Sequence, residues 1–194
     1  GASSQATGVR SVAIGESASA TADSSVAIGN GASASASHSV AVGQGADTSL
    51  YGVKSFANNP GVSGSAQYMI AVLKGQTVNA TQTEIYLDGV SEVLVMPPLS
   101  AWVFEIQVIA RRTDAVGGAA GYVVSGVARR DASAASITIT GAIVKSLLGE
   151  TNKPWDVNVN ANTTNGSVRV RVTGEANKTI DWVASARITQ VVNV

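Results

Sequence analysis

Hydrophobic and polar positions alternate along most of this chain, and in its N-terminal quarter they do so with a fixed longer period. Ser11-Val12-Ala13-Ile14-Gly15 recurs as Ser25-Val26-Ala27-Ile28-Gly29 and as Ser39-Val40-Ala41-Val42-Gly43, each copy 14 residues after the last. A fixed short period is the signature of a solenoid, in which each repeat is one coil stacked on the next. Successive side chains of an extended strand point to opposite faces. Val12 and Ile14 therefore share one face and Ala13 takes the other, and the same holds for Val26 with Ile28 and Val40 with Val42. Each phrase ends on Gly15, Gly29 or Gly43, where the chain can turn through positive φ without a Cβ clash. The small-residue tracts 17–22 and 31–36 also alternate, Ala against a hydroxyl residue or Gly, and read as a second strand. One coil is thus two short strands and two turns.

Such a coil carries only two sizeable apolar side chains. Burying each contributes about 1.5–3 kcal/mol, against about 1–2 kcal/mol of backbone entropy for every residue ordered. A lone roll is marginal on this comparison. Packing identical rolls around a common axis also hides their sheet edges, so self-assembly is expected. An Ala/Ser/Gly-rich linker has no reason to keep Val-x-Ile-Gly in register. The phrase S-V-A-I-G-x-x-A-x-A, repeated over residues 8–50, closely resembles the head repeats of YadA-like trimeric autotransporter adhesins, which also recur in bacteriophage tail fibres. The resemblance implies a left-handed parallel β-roll, three chains wide.

Near Tyr51 the composition shifts. No aromatic precedes it, and Arg10 is the one Lys or Arg before Lys54. Residues 1–52 are read as the roll, 53–80 as a degenerate coil and connector, and 81–194 as a C-terminal β-sandwich. In that last part Ile85 to Leu87 and Val93 to Met96 flank Asp88-Gly89, a hairpin signal. Trp102, Phe104, Ile106 and Val108 alternate with Val103, Glu105, Gln107 and Ile109. Similar alternation runs through Trp155-Val157-Val159, Val168-Val170-Val172 and Ile180-Trp182-Ala184-Ala186-Ile188. Eight or nine strands with turn signals about every 10 residues predict an antiparallel sandwich. No segment shows a convincing helical period, and residues 142–148 are the best short exception. The phrases Thr83-Glu84-Ile85-Tyr86-Leu87-Asp88-Gly89, Ala110-Arg111-Arg112-Thr113-Asp114-Ala115, Trp155-Asp156-Val157-Asn158-Val159 and Thr179-Ile180-Asp181-Trp182-Val183-Ala184 resemble a β-rich domain at the C-terminal ends of phage tail fibres. The fold class expected is all-β: a left-handed parallel β-roll, then an antiparallel β-sandwich, in an intertwined homotrimer.

Composition narrows the function. The 194 residues include no cysteine, which removes disulfides and thiolate metal sites, and formal net charge is zero. A neutral chain lacks the basic field that nucleic acid or an anionic membrane requires. No apolar run approaches the roughly 18 residues of a membrane span, so membrane insertion is not expected. No secretory signal is visible, and the chain reads as the C-terminal piece of a longer protein.

Candidate chemistry is sparse. His38 is the single histidine. It is read as an exposed turn residue rather than a metal ligand on a three-fold axis, and neither metal nor cofactor is expected. One histidine and no cysteine leave carboxylates as the only catalytic candidates. Glu105, Asp156 and Asp181 share strand phase with Arg169, Arg171 and Arg187, and cross-strand ion pairs explain them better than a glycosidase pair. Trp102 and Trp182 fall in core phase. Trp155 follows a polar loop and is kept as a candidate sugar contact. The doublets Arg111-Arg112 and Arg129-Arg130 read as solvated strand ends. Asn79, Asn162, Asn165 and Asn177 begin Asn-x-Ser/Thr triplets that carry little meaning in a bacterial or phage protein.

Together the two resemblances imply a non-enzymatic virion protein, the extracellular distal end of a phage tail fibre, with residues 81–194 as its receptor-binding tip. Its expected partners are two further copies of itself, an upstream fibre shaft, and a host cell-surface polysaccharide or outer-membrane receptor. Loops 113–121 and 149–156 are the first candidates for contact, through Asp114, Asn152, Lys153, Trp155 and Asp156. The alternatives are a head fragment of a trimeric autotransporter adhesin and a polysaccharide depolymerase.

Overall fold

The computed structural model describes residues 1–151 and 154–193. It is all-β: an N-terminal parallel solenoid with 14-residue turns, followed by antiparallel sheets. The coil strands are β1 (Gln5–Ala6), β2 (Val12–Ile14), β3 (Ser19–Ala20), β4 (Val26–Ile28), β5 (Ser33–Ala34), β6 (Val40–Val42), β7 (Asp47–Thr48) and β8 (Lys54–Phe56). The longer elements are β9 (Ala66–Thr77), β12 (Ser100–Arg112), β13 (Ala119–Arg130), β14 (Thr138–Glu150) and β17 (Ile180–Val192). The remainder are β10 (Thr83–Ile85), β11 (Leu94–Val95), β15 (Asp156–Asn162) and β16 (Ser167–Thr173).

In the roll the repeat stacks in register. Val12 pairs Val26 and Val26 pairs Val40, all parallel, while Ser19, Ser33 and Asp47 form the matching ladder of the other sheet. The phrase glycines have φ of 130°, 136° and 107°. A Cβ on Gly15 would also collide with the carbonyl of Gly29 in the next coil, so the column demands glycine on two counts. The phrase serines have a role that alternation does not reveal. Ser25 Oγ donates to the Ala22 carbonyl at 2.6 Å and Ser39 Oγ to that of Ala36 at 2.6 Å, closing each turn from inside the coil.

Alternation leaves open which face of the coil is the interior, and the structure turns the alanine face inward. Ala18, Ala20, Ala27, Ala32, Ala34, Ala41 and Ala46 form its buried core. Ile14 is 56% exposed and Val12 42%. Two strands and two tight turns leave an interior only wide enough for alanine, so the larger side chains of each phrase point outward.

A single nine-stranded sheet unites the two parts, in the order β14-β13-β12-β17-β9-β8-β6-β4-β2. The stretch read as a connector thus supplies β9, which pairs with the last coil on one side and with β17 from Ile180 to Val191 on the other. The smaller sheet of β10, β11, β15 and β16 covers the C-terminal part. Between them lie Trp102, Phe104, Ile106, Trp182, Ile188, Val157 and Val170, as strand phase predicts. Residues 142–148, with their helical period, belong to strand β14. The Asp88-Gly89 turn exists and is closed by the Leu87 N–H donating to the Glu92 carbonyl at 2.8 Å, but β10 and β11 form no hairpin ladder with each other. β10 and β11 lie end to end along one edge of β16, opposite β15, so residues 86–93 are an excursion from one interrupted strand.

Candidate functional site

The nominated loops gather at the end of the sandwich. Arg112 donates to both carboxylate oxygens of Asp114, at 2.7 and 3.2 Å, and this contact holds the Asp114 carboxyl below its ordinary range. Trp155 is only 2% exposed. Its ring lies 5.9 Å from that of Trp182, its indole N–H donates to Glu175 at 3.3 Å, and its carbonyl accepts from Tyr122 at 2.9 Å. Glu175 also pairs with Lys178, which depresses its carboxyl. Trp155 is therefore a core residue with a polar edge, packed away from the face a sugar would stack on. Asp156 faces another way and pairs with Lys145 at 2.6 Å. Asn152 and Lys153 lie outside the described residues.

The other candidates do not converge. Glu105 pairs with Arg187 at 3.5 Å across β12 and β17, and Asp181 accepts from Gln76 at 2.8 Å on the same large sheet. Arg169 and Arg171 belong to the small sheet, where Arg169 donates to Asn160 at 3.0 Å. There Glu84, opposite Arg171, has its carboxyl pushed up by burial, an effect the two arginines only partly offset. His38 sits exposed in a left-handed turn at φ 61° with its ring against Tyr51. Among the described residues, no group of three or more His, Cys, Asp or Glu is placed to hold a metal.

Two features emerge that single residues did not announce. The first is the outward face of the large sheet. Register carries one row of side chains across it, from Ile14 through Ile28, Val42, Phe56, Tyr68, Thr189 and Val103 to Val127. The row is apolar except for one threonine, and Ile14, Phe56, Tyr68 and Val103 are all exposed. Scattered exposed apolar residues are ordinary, whereas a contiguous face marks an interaction surface.

The second is a cavity of about 510 Å³ where the roll meets the sandwich. It lies where the covering layer changes hands, with Asp47 and Thr48 of β7 on the roll side and Val95 of β11 on the small-sheet side. Met69, Gln67, Trp102 and Gln190 of the large sheet are its floor. Trp102 donates to Gln190 at 2.7 Å and Gln190 donates to the Gly64 carbonyl at 2.7 Å, fixing that floor. Asp47, Glu92 and Arg130 reach the lining from three separate segments. No linear motif connects them, which is why sequence reasoning missed the site.

The family model of the YadA head domain repeat matches residues 1–18, 6–32 and 20–46. No curated protein matches the chain. Among solved structures, the chain is similar to the tailspike protein of Acinetobacter baumannii bacteriophage Fri1, a capsular polysaccharide depolymerase, at 14% identity and a TM-score of 0.34, over 78% of this chain and 27% of that one. It is also similar to the tailspike protein of Acinetobacter baumannii phage AM24, at 11% identity and a TM-score of 0.30, over 63% of this chain and 26% of that one. The chain spans about a quarter of the length of these solved structures.

Proposed function

We propose that this chain is the distal region of a trimeric fibre, of the phage tail-fibre type, that attaches its particle to a host cell by binding a surface glycan or protein without chemical turnover. The observation that carries this reading is the outward apolar row from Ile14 to Val127. A chain folded around an alanine interior leaves its largest aliphatic side chains outside, and copies around a common axis would bury them. The row crosses from roll to sandwich without a break, so one axis serves both parts. The match of residues 1–46 to a repeat of adhesin heads supports the same reading. The roll then acts as a stiff spacer, and three sandwiches held together bind by avidity.

The test is attachment of the fluorescently labelled protein to a panel of encapsulated Gram-negative strains and their capsule-free derivatives. Binding to a subset of strains is expected, lost with the capsule if the receptor is a glycan and retained if it is an outer-membrane protein. Uniform absence of binding, with the protein folded and assembled, contradicts the reading.

A further inference from the structure

The cavity between roll and sandwich has the size and chemistry of a ligand site. Its volume falls in the roughly 300–1,000 Å³ range of small-molecule pockets. Leu50, Val93, Val95, Pro97 and Pro98 form an apolar wall. Around it stand planar polar groups: the carboxylates of Asp47 and Glu92, the amide of Gln67 and the guanidinium of Arg130. Among the described residues, neither carboxylate has an ion-pair partner, and the hydrogen bonds of Arg130 go to the carbonyls of Met96 and Ser133. Gln67 accepts from the Asp47 backbone N–H at 3.1 Å and spends its own N–H on the weak acceptor Met69 Sδ. Thr48, which also lines the cavity, is 2% exposed with a hydroxyl that has no partner. A buried hydroxyl without a partner is unfavourable.

We propose that this cavity binds a neutral saccharide of one or two rings. The C–H face of a pyranose suits the apolar wall, and its vicinal hydroxyls suit planar groups that meet two oxygens at once. Two carboxylates against one guanidinium disfavour an anionic sugar, which would meet net negative charge in a partly enclosed space. The choice of a sugar rests on the attachment reading; the choice of a neutral one rests on the charges of the lining.

The chain carries its own probe. It has two methionines, Met69 and Met96, and both line this cavity. Full-length protein labelled with ¹³C at the methionine methyls is titrated with glucose, galactose, N-acetylglucosamine, N-acetylgalactosamine and glucuronate. At least one neutral sugar is expected to shift both methyl resonances saturably, with glucuronate giving weaker or no shifts. Glu92→Gln, an exposed and unpaired position, weakens that titration about tenfold by removing a charged acceptor, with unchanged melting temperature. The double variant Asp47→Asn/Glu92→Gln, which leaves Arg130 as the one charge among these groups, admits glucuronate. Static methyl resonances with all four neutral sugars overturn the proposal, as does a native protein that binds glucuronate more tightly than any of them. Cell attachment with static methyls rejects the cavity alone, whereas sugar-dependent methyl shifts without cell attachment reject the attachment reading alone.

Discussion

Phe56 and Tyr68 face each other across the join between the last coil and the first long strand, with ring centroids 6.4 Å apart, on the solvent side of the sheet. Here parallel pairing gives way to antiparallel pairing, and the apolar row passes through unchanged. On the inner side of the same two strands, Ser55 pairs with Met69. The join therefore places its larger rings outside and its hydroxyl inside, an inversion of the usual rule. In the proposed trimer, a second copy of the face would cover those rings.

Substitutions on the two faces of the roll are expected to behave oppositely. Ala41→Val adds two methyl groups where Ala41 is fully buried, and overpacking of this kind costs about 1–3 kcal/mol. Denaturant unfolding in the Ile28→Lys background, where the chain is expected to be folded but unassembled, reads this loss as a lower midpoint. Val42→Ala, one residue on and facing out, leaves the unfolding of the unassembled chain nearly unchanged. Equal destabilisation by both would contradict the assignment of faces.

Gly126 is fixed by packing. A Cβ there would lie 2.8 Å from both Phe104 Cζ and Ile143 Cδ1. Gly126→Ala is expected to destabilise by about 1–3 kcal/mol through displacement of the Phe104 ring, read by thermal or denaturant unfolding. Gly117→Ala has open space at a positive φ and tests strain alone.

The period, the turn glycines and the alternating strands were legible because each is a local rule. Which face of the coil points inward was not, since alternation defines two faces without ordering them. The usable signal was size: Ala27 and Ala41 occupy the same inner column in copies where the outer positions vary between Ile28 and Val42. β9 was hidden because both its faces are apolar, Met69, Ala71 and Leu73 inside against Tyr68, Ile70 and Val72 outside. The helical period of residues 142–148 arises where β14 slips register against β13 between Ser125 and Val127, with Gly141 at φ 76°. A bulge shifts phase and mimics the longer period. Of the described loop candidates, Trp155 turns into the core and is 2% exposed, a burial its place beside a polar loop did not announce, and the cavity was invisible because topology alone assembles it.

Asp88 organises the excursion between β10 and β11. Its carboxylate accepts the backbone N–H groups of Val90, Ser91 and Glu92 at 2.8, 2.8 and 2.9 Å, which lowers its carboxyl from an ordinary 3.8 to about 2. The folded value lies below the unfolded one, so the stabilisation is complete above the unfolded value and disappears as pH falls through the folded one. Amide resonances of these three residues are expected to titrate together with a midpoint near 2. A midpoint at or above the ordinary value contradicts the arrangement.

The proposed lack of turnover has a direct assay. Purified capsular polysaccharide from any strain the protein binds, incubated with the assembled protein, is expected to yield no new reducing ends and no fall in mass. If cleavage occurs, Glu105→Gln and Asp156→Asn identify whether those carboxylates carry it.

The most direct test of the central claim is the solution mass of the chain and of Ile28→Lys, measured by light scattering. The outward row predicts three chain masses for the native protein. It predicts a smaller species for the variant, with an unchanged far-ultraviolet circular dichroism spectrum, because a lysine at this position is tolerated in solvent but not in an apolar interface. A native protein with the mass of one chain, or a variant that assembles as the native protein does, would contradict the account.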